Sequence, residues 1–138
     1  MSIQNRLEDA KVLTDNNRLE GALLSVLIAV AATSRRRYPK PMRDKEAFTK
    51  FVAEEMKKIT GFVQNFHLKF RNNIMTLQDL LYKFVRCELA HEAEVPADIV
   101  FEKGKHRYVV RDDKIILPYE LINGLARAVI EATENAKD

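Results

Sequence analysis

With 138 residues, 46% of them apolar and 31% charged, the chain has enough material for one hydrophobic core and too even a composition for a disordered or repeat protein. Its formal charge of +3 is too mild to announce a nucleic-acid partner, and a lone cysteine, Cys87, excludes an intramolecular disulfide and a thiolate zinc centre. Met1 to Glu20 mix acids and bases without the layout of a signal peptide, and the strongest apolar run, from Ala22 to Ala32, is about half a bilayer span. A reducing, cytoplasmic setting without a membrane is the expectation.

In chain order, Ser2 is placed to cap a first helix whose apolar residues Ile3, Leu7, Ala10 and Leu13 recur at helical spacing, and Asp15-Asn16-Asn17 breaks it. Asn17 and Glu20 read as a capping box that opens a second helix through roughly Arg37, ended by Pro39. This helix is apolar all round, which predicts burial on several sides, at the centre of a bundle or shared with a second subunit. Asp44 is expected to cap a third helix carrying Phe48, Phe51, Val52 and Ile59, stopped by Gly61. From Phe62 to Met75 no clean period survives, so a loop with a helical turn is expected, with Phe62, Phe66 and Phe70 read as core rather than as a base-stacking platform.

Thr76 and Asp79 mark the start of a fourth helix, with Leu77, Leu80, Leu81, Phe84 and Val85 as its apolar stripe, reaching about His91 to Ala93 before Pro96. Three short β-rich runs follow, Ile99-Val100-Phe101, Tyr108-Val109-Val110 and Ile115-Ile116-Leu117, separated by turn residues and read as an antiparallel meander. Pro118 is expected to open a last helix buried through Leu121, Ile122, Leu125, Val129 and Ile130. The fold class that results is mainly α: one domain over 1–138, a four- to five-helix up-and-down bundle with a β appendage at about 98–117.

Two features carry chemistry. Arg35, Arg36, Arg37, Lys40, Arg43 and Lys45 crowd into eleven residues with Asp44 as the sole acid, a candidate phosphate-facing patch, although such a run is more often a solvated helix end. The other is Arg86-Cys87-Glu88-Leu89-Ala90-His91. On a helical wheel Glu88 extends the apolar stripe and His91 lies at its margin, while Arg86 falls about 140° from His91. One ideal helix does not aim Arg86 and His91 at one point. A curled arginine stem, an unwound last turn, or a twofold axis joining two copies of the helix would each bring them together. The plain reading is a histidine favoured by the helix macrodipole and a glutamate paired with a neighbouring cation. Cys87 and His91 lack a visible third group for a nucleophilic triad, and His67 and His106 share no ligand spacing with His91, so neither a metal nor another cofactor is expected.

The Arg86-x4-His91 spacing near a helix end, the early helical hairpin and the closing amphipathic helix resemble the HEPN superfamily of small helical bundles. The resemblance implies a homodimer that cleaves or binds RNA without a metal at a cleft between subunits, with Arg86 and His91 catalytic, Glu88 orienting His91, and Arg35, Arg36, Arg37, Lys40 and Arg43 tracking the RNA backbone. It also implies a toxin or defence effector, with an antitoxin or nucleotidyltransferase as partner. The family usually places a polar residue just after the arginine, where this chain has Cys87. That departure keeps two alternatives open: a catalytically silent HEPN-like module that binds a partner protein or nucleotide, and a plain helical dimerisation protein.

Overall fold

The computed structural model of the chain describes residues 2–62, 67–70, 73–90, 99–103, 108–112 and 114–136, with the side chains at 70 and 86–90 outside that description. Among the described residues it is mainly helical, with six α-helices and two small sheets: α1 Ile3–Asp15, α2 Leu19–Arg37, α3 Asp44–Glu54, α4 Met56–Thr60, β1 His67–Phe70, β2 Asn73–Thr76, α5 Leu77–Ala90, β3 Ile99–Glu102, β4 Val109–Arg111, β5 Lys114–Pro118 and α6 Glu120–Glu131, closed by a 3-10 turn Thr133–Asn135.

Ser2 starts α1 as its sequence position demands, its hydroxyl accepting from the backbone N–H of Asn5 at 3.1 Å. The expected Asn17–Glu20 box does not form. Asn17 adopts a left-handed φ of 59°, which Asn tolerates, and turns the chain sharply so that α2 begins only at Leu19, without a side-chain cap. The all-apolar α2 lies at the centre of the bundle, against α1, α3, α5 and α6, with Ala22, Leu23, Val26, Leu27, Ala29 and Val30 buried. Complete burial of such side chains contributes about 1.5–3 kcal/mol for each large aliphatic. Leu24 and Ile28 are only half-buried and mark the one stripe of α2 that the described residues leave partly open.

Asp44 occupies the first turn of α3 rather than its cap, and the expected third helix is two, broken at Glu55 before α4. Gly61 ends α4 at φ 85°, the left-handed position glycine favours. The segment expected to be a loop contains an antiparallel hairpin, in which His67 to Phe70 pair with Thr76 to Asn73. Leu68 goes inward and Ile74 outward, a weak alternation too short for its period to show in the sequence. Phe62 is 49% exposed and thus not core; Phe66 and the side chain of Phe70 lie outside the described residues.

The β appendage differs from a meander in its order, β3-β5-β4, with β3 parallel and β4 antiparallel to β5. Ile115, Ile116 and Leu117 are all buried because β5 is the central strand, and an uninterrupted apolar run is what a strand covered on both faces requires. Pro118 closes β5 instead of opening the helix, and α6 starts at Glu120. Its buried face holds Leu121, Ile122, Leu125 and Val129, whereas Ile130 is 65% exposed.

Candidate functional site

Helix α5 begins where the sequence places it: Thr76 Oγ1 accepts from the N–H of Asp79 at 3.2 Å. Leu77, Leu80, Leu81, Phe84 and Val85 are buried and hold it against α2 and α3, with the Tyr82 ring 5.4 Å from that of Phe48. The backbone of Arg86, Cys87 and Glu88 belongs to the last turns of this helix, which ends at Ala90, one residue before His91. The side chains of Arg86 and Glu88, and the whole of His91, lie outside the described residues.

The arginine run is described in full, and its members have different fates. Arg35 Nη1 donates to the Met42 carbonyl at 2.6 Å, and its Nε lies 3.3 Å from Asp44 Oδ1, so this side chain braces the α2–α3 connection from within. Arg36 is exposed and donates to Asn135 Oδ1 at 2.8 Å. Arg37 is enclosed by acids: its Nε donates to Glu134, and its Nη1 reaches Glu55 at 3.0 Å and Glu54 at 3.3 Å. Its guanidinium also sits 4.5 Å above the Phe51 ring. Burial alone works against the charge on Arg37, but its hydrogen bonds to Glu134 and Glu55 outweigh that and raise its pKa. The same Arg37 bond holds the Glu134 carboxyl below the usual carboxylate range. Asn135 completes the clasp by donating through Nδ2 to Thr33 Oγ1 and to the Val129 carbonyl, both at 2.9 Å.

No sequence signal announces this cluster, since Arg37 and Glu134 are 97 positions apart. Its chemistry is to fasten the C-terminal turn over the end of α2, and it commits the Nε and Nη1 of Arg37 to carboxylates. Lys40 and Arg43 lie between Arg37 and α3 and are exposed. An open groove of about 630 Å³ separates the α1–α2 turn from β3, but Arg18 and Glu20 line it together and give it no net charge. Among the described residues, no three His, Cys, Asp or Glu side chains gather as metal ligands would, and no helix is long and apolar enough to cross a membrane.

A family model described as Rv1289 matches residues 2–138. The chain belongs to the Rv1289 family. No curated protein and no solved structure matches it.

For this Rv1289-family chain the acid clasp gives a pH prediction. Glu134 has a folded pKa depressed below the value of about 4.3 for glutamate in an unstructured chain. Its contribution is therefore present above that value and lost as pH falls through the lower folded one. Glu134→Gln is expected to cost about 2 kcal/mol at neutral pH, the range of a charge-assisted hydrogen bond. Thermal melts of both proteins from pH 7 to pH 3 should show the difference shrinking in acid. A constant difference would assign the loss to packing instead of charge.

Proposed function

We propose that this chain is an HEPN-like domain that binds and cleaves RNA without a metal ion, through Arg86 and His91 in a cleft formed by two copies. The observation that carries the reading is the spacing of the motif: the backbone of Arg86 lies in α5, Leu77–Ala90, five positions before His91 in the sequence. The α1–α2 hairpin and the strongly amphipathic α6 are in keeping with it. The half-open stripe of α2, Leu24 and Ile28 with Ala32 exposed beyond them, supports a second copy as the cover.

The chemistry suits the residue types. As the ribose 2′-oxygen attacks phosphorus, the imidazole of His91 takes its proton; as the bond to the 5′-oxygen breaks, a proton returns to that oxygen. Arg86 donates two hydrogen bonds to the non-bridging oxygens while charge builds on the phosphorane. Glu88 orients the imidazole. The products are a 2′,3′-cyclic phosphate and a free 5′-hydroxyl.

Incubation of the purified protein with RNA in a chelator should yield cyclic-phosphate ends, and expression toxicity relieved by Arg86→Ala would agree with it. Cys87, where the superfamily usually carries a polar residue, favours a second reading, a silent module that keeps the binding cleft. Retained RNA affinity with no new ends would select that one.

A further inference from the structure

Two sets of cations stand apart in the arginine run and the residues that follow it, and Arg36, which donates to Asn135, belongs to neither. Arg35 is tied to Met42 and Asp44, and Arg37 to Glu54, Glu55 and Glu134. Lys40, Arg43 and Lys45 are exposed, have no ion pair among the described residues, and lie within six residues of one another. Their setting is not a loose loop. Tyr38 N–H donates to the Ser34 carbonyl at 2.8 Å, Met42 N–H to the Pro39 carbonyl at 3.3 Å, and Arg35 clamps Met42 from below. Arg35 also pairs with Asp44, the one acid inside the segment, and the next acid along the chain is the exposed Glu46. Lys50, with its Nζ 4.6 Å over the Tyr38 ring, extends the cationic surface along α3.

We infer that the RNA backbone is held by the braced α2–α3 connection through Lys40, Arg43 and Lys45, and that Arg35 and Arg37 are its scaffold and touch no phosphate. The inference rests on the RNA reading above and deepens it: of the five basic residues expected to track the strand it keeps Lys40 and Arg43, withdraws Arg35 and Arg37, and adds Lys45. A braced connection presents its cations without first losing conformational freedom, and each phosphate neutralised releases condensed counterions, so the surface has a measurable salt signature.

The test is a fluorescence-anisotropy titration of a labelled single-stranded RNA at several KCl concentrations. It compares the wild type with the triple variant Lys40→Gln, Arg43→Gln, Lys45→Gln, and with a charge-matched control, Lys11→Gln, Lys114→Gln, Arg127→Gln, whose changes fall on α1, β5 and α6. At about 0.7 per single-strand contact, the slope of log affinity against log salt should become shallower by about 2 in the triple variant and change little in the control. Melting curves check that all three are folded. Equal slopes in the triple variant and wild type overturn the inference, as does a control that loses as much, or a wild type that binds no RNA at low salt. Cyclic-phosphate ends that need His91, together with an unchanged slope, sink the surface and keep the nuclease. A slope lost with the triple variant but no cleavage by the wild type sinks the nuclease and keeps the surface.

Discussion

Gly124→Ala is expected to lower the stability of the domain by about 3 kcal/mol, the upper end of the usual range for overpacked cores, and Tm by roughly 10 °C for a chain of this size. Helix α6 crosses α4 so closely at this point that a β-carbon on residue 124 would stand 2.0 Å from the Ile59 carbonyl oxygen and 2.7 Å from its carbon. Those atoms are backbone, so no side-chain rotation relieves the overlap and the two helices must part. Alanine's better helix propensity, worth about 1 kcal/mol over glycine, opposes the loss but does not match it. Because Ile59 offends through its main chain, truncating it to alanine in the double variant should not rescue stability and should add a cavity cost. Recovery in the double variant would show that the contact is made by side chains. Gly21 is the useful contrast: a β-carbon there meets the end of the Leu13 side chain at 3.3 Å, which can shift, and the same substitution should be mild.

On the proposed chemistry, His91→Ala should reduce single-turnover RNA cleavage by about 10²–10⁴-fold, the usual worth of a positioned general acid–base group. Arg86→Ala should cost about 10²–10³-fold through lost stabilisation of the phosphorane. His91→Ala should leave RNA affinity and its salt slope nearly unchanged, whereas Arg86→Ala, which takes one cation off the scissile phosphate, should make the slope shallower by about 0.7. Lysine at position 86 should recover little, since it supplies a point charge where two parallel hydrogen bonds are needed. The combined variant should fall short of the product of the two losses, as groups acting as one unit do. Unaltered cleavage by His91→Ala at matched folding would remove the histidine from the mechanism.

The outcome for individual elements follows the range of the forces that set them. Thr76 starting α5, Ser2 starting α1 and Gly61 ending α4 were legible because each rests on contacts within a turn or so of the chain. The central place of α2 was legible as well, since a helix without a polar face has few other options. The candidate motif is read wholly from sequence, as the spacing between Arg86 and His91. The β1–β2 hairpin escaped detection because four-residue strands leave too few positions for alternation to stand out. Asn17 misled through its two uses, since the residue that caps helices also adopts the left-handed turn.

What the chain determined locally is its set of helices, their apolar faces and a surplus of cations between Arg35 and Lys45. Tertiary structure alone decided that β5 lies between β3 and β4, that Gly124 admits the backbone of Ile59, and which cations of the arginine run are spent on carboxylates. Helical periodicity and caps act over three or four residues. The partner of a guanidinium is chosen by whichever acid the fold delivers to it, and for Arg37 that includes one 97 positions away.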